Sequence, residues 1–231
     1  MSRVTLNQTN MKKITGILLM SLLCCITTES IAQILGVRAG LNVANIAIDN
    51  ELFDDEDLKS KGGFLAGLTA EFPLSDAISF ETGALLSTKG YKMEYEETWA
   101  GETYSGKFST NPIYIDVPLT AKLYFDLGGA RLFGKVGPYV GIGVAGDFKY
   151  EETSGNETES ESEKIEWGGD DADFERLDYG LLVGAGLDLG VIEAGASYGY
   201  GMANITPNGN SDLKVQNRVF SIYVGIKFGG R

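Results

Sequence analysis

The chain has 231 residues, room for one domain or two small ones, and its 19 Lys+Arg against 32 Asp+Glu give a net charge of −13. That balance argues against a nucleic-acid-binding surface. The absence of histidine excludes His-based triads, His metal sites and His pH switches. Glycine is abundant at 31 residues, with no collagen-like period and no Pro-rich stretch beside it.

The first element in chain order is a targeting segment. Met11-Lys12-Lys13 is a basic start, Ile14–Ile26 is apolar, and Ser30-Ile31-Ala32 places small residues at −3 and −1. This is the pattern of a secretory signal peptide over 1–32, with Met11 a candidate initiator and Gln33 the expected mature N-terminus. The 13 apolar residues span about 20 Å as a helix, short of a bilayer core of about 30 Å. A lipoprotein would carry a small residue before its modified cysteine, whereas Leu23 precedes Cys24. Cys24 and Cys25 both fall within the leader, so the mature chain has neither disulfide nor thiol chemistry. Losing residues 1–32 removes three bases and one acid and leaves a charge of −15.

From Gln33 onward the sequence reads as strands. The first is predicted at 35–46, followed by an acidic loop over 47–62. Strands at 63–72 and 77–92 are joined by a short turn at Pro73–Asp76, and a second long loop covers 93–109. The fourth strand, 110–126, alternates most clearly. Ile115, Val117, Leu119, Ala121, Leu123 and Phe125 lie on one face, opposite Tyr114, Asp116, Pro118, Thr120, Lys122 and Tyr124. The fifth, 131–148, sets Leu132, Val136, Pro138, Val140, Ile142 and Val144 against Phe133, Lys135, Tyr139 and glycines. A third long loop spans 149–173. The sixth strand, 174–189, opposes Leu177, Tyr179, Leu181, Val183, Ala185 and Leu187 to Arg176, Asp178, Asp188 and glycines. The seventh is 192–204, a fourth loop covers 205–213, and the eighth, 214–228, carries Phe220, Ile222, Val224, Ile226 and Phe228 on its apolar face.

Two turns fix register. A two-residue loop at Gly128-Gly129 sets Leu123 against Gly134, Tyr124 against Phe133 and Asp126 against Arg131. A loop at Gly190-Val191 sets Asp188 beside Glu193, where two carboxylates meet. Pro118 and Pro138 each remove a ladder donor, and bulges are expected there.

The character of the two faces decides the class. A soluble sandwich or lipocalin-like barrel turns a Lys/Glu-rich face outward. Here the apolar faces are free of charge, and the opposite faces mix glycine, aromatics and isolated charges of both signs, which suits the filled interior of a narrow barrel. Short and long connections alternate, as in an outer-membrane barrel. The expected fold is all-β, an eight-stranded antiparallel up-and-down transmembrane β-barrel over 33–231, both termini periplasmic, with outer loops at 47–62, 93–109, 149–173 and 205–213. Phe72, Phe80, Phe125 and Phe228 gather near the periplasmic end as half an aromatic girdle.

The segments GVRAGLNVANI (36–46), GFLAGLTAEFPLSDAISFETGALLSTKGY (63–91), YIDVPLTAKLYF (114–125), GPYVGIGV (137–144), LDYGLLVGAGLDLG (177–190), GMANI (201–205) and NRVFSIYVGIKF (217–228) resemble, in order, the PorT-like outer-membrane β-barrel proteins of Bacteroidetes. The resemblance spans the mature strands, not the loops, and is most specific in the fourth strand. It implies an outer-membrane barrel and, for most members, no defined activity. The founding member's tie to protein secretion does not transfer on fold resemblance. Phe228 fits the terminal aromatic of such barrels, although Gly229-Gly230-Arg231 follow it.

Candidate site residues are those of the predicted lumen: Arg38, Glu71, Glu81, Asp116, Lys122, Lys135, Arg176, Asp178, Asp188, Glu193 and Lys227. Buried charges persist when paired, so these are expected to form a structural plug rather than an ion path or small pore. Asp54, Asp55, Glu56 and Asp57 offer hard oxygen ligands for weak divalent-cation contact, without the spacing of a defined calcium loop. Residues 151–173 hold ten acids and one base, read as a solvated, self-repelling mobile loop. No catalytic constellation, specific metal site or cofactor is expected. The partners expected are outer-membrane lipid and, through the loops, an envelope or extracellular protein, with the barrel itself monomeric. Adhesion, partner docking or envelope structure is the function this supports. Alternatives are a secretion-apparatus component, a small pore, or a soluble periplasmic ligand-binding barrel.

Overall fold

A computed structural model describes residues 33–49, 58–99, 102–154, 157–169, 172–207 and 214–229. The expected signal peptide at 1–32 and the acidic run Asp54–Asp57 lie outside the described residues. Twelve strands occur among the described residues: β1 (Ile34–Asp49), β2 (Lys61–Pro73), β3 (Ile78–Thr88), β4 (Lys92–Trp99), β5 (Glu102–Thr110), β6 (Ile113–Asp126), β7 (Arg131–Ala145), β8 (Asp147–Ser154), β9 (Glu157–Lys164), β10 (Leu177–Asp188), β11 (Ile192–Gly201) and β12 (Lys214–Phe228). Eight of them close into an antiparallel barrel in the order β1-β12-β11-β10-β7-β6-β3-β2. The other four form a separate sheet, β4-β5-β8-β9, inserted between β3 and β6 and between β7 and β10.

The eight barrel strands are those expected from alternation. Leu123 pairs with Gly134, Tyr124 with Phe133 and Asp126 with Arg131, and Asp188 pairs with Glu193. Gly128 and Gly190 take φ of 92° and 88°, the left-handed conformation that lets two residues reverse the chain with the strand twist. The barrel closes where Leu35 meets Phe228, which sets both ends of the barrel chain beside the short turns.

The prolines do not produce the expected bulges. Pairing runs from Pro118↔Tyr139 to Ala121↔Val136, and from Thr82↔Leu119 to Leu85↔Asp116, with the same register on either side. The register shift of the β6–β7 pair lies between Ile113 and Tyr114, at the long-loop end. A missing proline donor therefore leaves a local gap in the ladder, and the closed sheet holds the strands in line around it.

The apolar faces point outward: Leu119, Leu123, Val136, Ile142, Leu181, Ile222 and Val224 are all exposed. Phe125 and Phe228 are exposed as well, and Phe72 pairs across strands with Phe80, ring centroids 6.3 Å apart. The opposite faces fill the interior with Tyr114, Tyr124, Phe133, Tyr139 and Tyr223 among buried charges. Small residues make this possible. A Cβ on Gly186 would lie 2.5 Å from the Phe133 ring, and one on Gly195 would lie 2.8 Å from the Tyr223 hydroxyl.

Residues 93–109, expected as a long loop, and 149–164, expected as part of a mobile one, are mostly strand among the described residues. The reason is visible in β9, whose Glu-Ser/Thr alternation spaces its carboxylates along one face instead of bunching them. Hairpin partners add support: Phe108 stacks on Phe148 at 5.9 Å and touches Tyr150 at 5.0 Å, while Lys107 pairs with Glu151 at 3.2 Å. Cross-strand aromatic and ion pairs of this kind offset the charge repulsion that composition alone suggests.

Candidate functional site

Inside the barrel, six cations and six carboxylates sit at three levels along the axis. At the short-turn rim, Asp188 accepts from Arg131 and Lys227 at 2.6 Å each. This resolves the expected clash of Asp188 with Glu193: the first carboxylate turns to the rim and the second to the middle level.

The middle level balances three against three. Arg38 grips Glu81 through both terminal nitrogens, at 3.0 and 2.7 Å, and reaches Glu193 at 2.6 Å. Lys135 donates to Glu81 at 2.9 Å. The Lys122 ammonium touches Glu71, Glu81 and Glu193 at 3.1, 3.1 and 2.5 Å, and Tyr124 donates to Glu71 at 2.5 Å. Oxygens of the three glutamates lie within 4.8 Å of one another, a spacing able to hold a metal ion. Here the chain's own ammonium sits among them, over the Phe133 ring at 4.3 Å. The side chains come from β1, β2, β3, β6, β7 and β11, so the cluster ties most of the barrel circumference together.

The upper level has one cation for two carboxylates. Lys89 donates to Asp116 and Asp178 at 2.8 Å each and lies 4.6 and 4.8 Å from the Tyr114 and Tyr139 ring centroids. Tyr139 and Asn217 also donate to Asp178, at 3.2 and 3.0 Å. A cavity of about 40 Å³, bordered by Arg38 and Lys135 on one side and Lys89, Asp116 and Tyr139 on the other, separates the two levels. The space is sufficient for one or two waters.

At the long-loop end of the lumen, apolar side chains pack together. Trp167 packs edge-on to Tyr114, centroids 5.2 Å apart, and lies against Gly143, where a Cβ would come within 2.1 Å of its ring. Ile165 belongs to the same buried cluster, with Phe148 and Phe174 packed against it, and backbone bonds Ile165→Gly146 and Glu175→Ile205 tie the connecting segments down at this end.

Of the residues expected in the lumen, ten meet in these clusters and one does not. Arg176 lies just before β10, is exposed, and donates to the Gly143 carbonyl at 3.3 Å. Alternation carried the sixth strand too far toward its N-terminus, into the connecting segment before β10. Lys89 was missed in turn. It sits eight residues after Glu81, on the same face by period two and within the strand expected at 77–92, so the alternation that placed Glu81 in the lumen extends to it. The neutral partners Asn42 and Asn217 carried no charge signal. Asn42 bonds Ser87 at 3.0 Å and accepts from Ser221 at 2.7 Å.

The outer sheet turns one face to solvent with Met93, Tyr95 and Tyr150 at 38, 58 and 43 % exposure. Tyr95 lies flat on Gly106, and Glu152, Glu159, Glu161 and Glu163 share the same face. At the base of the sheet Glu94 receives Lys92 at 2.8 Å and Lys59 at 2.9 Å, and these two ammonium groups pull its carboxyl down to about 2.

Among solved structures, the chain is similar to Ail, the attachment invasion locus protein of Yersinia pestis, solved with the heparin analogue sucrose octasulfate, at 19 % identity and TM-score 0.34, covering 85 % of this chain and 99 % of that one. It is also similar to Neisserial surface protein A (13 %, TM-score 0.36, 84 and 97 % covered) and to the N-terminal β-barrel domain of OprF from Pseudomonas aeruginosa (14 %, TM-score 0.29, 83 and 97 % covered). No curated protein matches the sequence. Residues 31–207, spanning seven of the eight barrel strands, match the family described as outer membrane protein beta-barrel domain, and the chain belongs to that family of outer-membrane barrels.

Proposed function

We propose that this outer-membrane barrel is non-enzymatic, that its lumen is plugged, and that its working surface is the outer sheet, which docks a protein of the envelope or of an opposing surface. The observation that carries the reading is the ordered sheet β4-β5-β8-β9 with its exposed row of Met93, Tyr95 and Tyr150. Large apolar side chains grouped on a sheet face outside the membrane favour contact with another macromolecule over mere solvation. The plug is supported by the charge pairing at the middle level and by the apolar packing around Trp167. Within the family, the fourth-strand motif YIDVPLTAK supports a place among the PorT-like barrels of Bacteroidetes, with residues 1–32 as a signal peptide removed on export.

Two measurements test this. In planar bilayers the purified barrel is expected to give no stable open channel, and a reproducible large conductance rejects the plug. A variant with Met93, Tyr95 and Tyr150 all replaced by Ser is expected to stay folded in the membrane yet lose partner capture from envelope extracts. Equal capture by both proteins rejects the sheet as the working surface.

A further inference from the structure

The outer sheet divides its charge between its two faces. Residues paired across antiparallel strands share a face. By that pairing the lysines of its strands, Lys92, Lys107, Lys149 and Lys164, all fall on one side. Acids accompany them there, with Lys92 on Glu94 at 2.8 Å and Lys107 on Glu151 at 3.2 Å. The other face carries Glu152, Glu159, Glu161 and Glu163, all exposed, and no base among the described residues.

This acidic face is also the aromatic one. Tyr150 pairs with Glu161, and Tyr95 lies flat on Gly106, whose partner in β8 is Glu152. From Tyr150 the rings run inward through Phe108, Phe148, Phe174 and Trp167 to Tyr114, successive centroids 5.0 to 6.2 Å apart. At the buried end of this row Tyr114 has the Lys89 ammonium over its ring at 4.6 Å. Deeper in the lumen Tyr223 holds Arg38 at 4.2 Å and Phe133 holds Lys122 at 4.3 Å. At the exposed end Tyr95 and Tyr150 stand among carboxylates, and the sheet's own lysines are on the far side. A ring face and a carboxylate attract positive charge independently, one through its quadrupole and the other through its net charge.

We propose that this face docks a lysine- or arginine-rich segment of a partner protein, its cationic heads on the glutamates and its stems across Tyr95 and Tyr150. The docking role of the outer sheet is the premise, and the partner's positive charge is the addition. A second copy of the chain is unsuited to the place. The same face repels itself, and the net charge of the chain is −13.

The full mature barrel in nanodiscs of zwitterionic lipid is titrated into a fluorescein-labelled oligolysine peptide, with anisotropy as the readout. Saturable binding that weakens as salt rises is expected, with none for an oligoglutamate peptide. Replacing Glu152, Glu159 and Glu161 by Gln should weaken it about tenfold. Tyr95→Leu with Tyr150→Leu keeps apolar bulk but removes the ring faces, and should weaken it about fivefold. Asp76→Asn, Glu96→Gln and Asp126→Asn together make the same charge change away from this face and should leave binding within about twofold of the wild type. Absence of saturable binding overturns the site, as does an unchanged affinity in the Gln or Leu variant or an equal loss in the control. Should a variant fail to fold, a photoactivatable oligolysine peptide on the wild type decides: adducts on β4, β8 or β9 support the site, and adducts elsewhere refute it. Competition separates this from the docking role itself. Envelope capture that the Met93, Tyr95 and Tyr150 serine variant loses, but that excess oligolysine leaves intact, keeps the surface and overturns the cationic partner. Capture retained by the serine variant overturns both.

Discussion

Lys122 is the single side chain on which the lumen most depends. Its ammonium serves three glutamates at full burial, so Lys122→Met leaves carboxylates in a dry interior without their central cation. The expected loss is about 3–5 kcal/mol in a denaturant titration of the membrane-inserted barrel. Arg131 makes a bond just as short, at 2.6 Å, but its side chain is 37 % exposed and Lys227 remains on Asp188. Arg131→Met should therefore cost under about 1 kcal/mol. The outward face answers to a different solvent. Leu119, 40 % exposed near the middle of β6, faces hydrocarbon, and Leu119→Arg should destabilise by about 2–4 kcal/mol in lipid vesicles. The three substitutions rank charge loss within the lumen, charge loss at its rim and charge gain against lipid.

At the scale of elements, the seat of Trp167 at the long-loop end depends on a strand position that carries no side chain. A Cβ at Gly143 would meet the Trp167 ring at 2.1 Å, so Gly143→Val must expel the indole. In a Trp99→Phe background the Trp167 fluorescence should move to the red, while the barrel remains folded by gel mobility. The outer sheet has its own anchor in Glu94. Its folded value, about 2, lies below the ordinary 4.5 because Lys92 and Lys59 donate to the charged form. The stabilising contribution is thus complete above pH 4.5 and fades as pH falls through about 2. A carbon-13 titration of the Glu94 carboxyl should give a midpoint near 2 in the wild type and return toward 4.5 in Lys92→Gln. An unshifted wild-type midpoint would mean that the two lysines are not held against it in solution.

For the whole molecule, closure of the sheet changes what each strand can tolerate. Pro118 and Pro138 sit in a barrel without edges, yet pairing keeps its register on both sides of each because neighbouring strands fix it from two directions. Charges from six strands meet at the middle level, so the lumen acts as one unit and its ion pairs should be lost together with the barrel in a single unfolding step.

Alternation by itself determined the eight barrel strands, which face of each meets lipid and, through Gly128-Gly129 and Gly190-Val191, two of the registers. Both signals are local: a period of two and a turn length say which way a side chain points without knowing what it meets. Only the tertiary structure decided the rest. It turned Asp188 away from Glu193, brought Lys89 between Asp116 and Asp178, and kept Arg176 outside the lumen. It also paired Phe108 with Phe148 and Tyr150, which turned an acidic stretch that reads as coil into strands. The contacts that decide these outcomes join residues 27 or more positions apart, and the partner of a charge or a ring is set by the closure of the sheet, not by the sequence on either side of it.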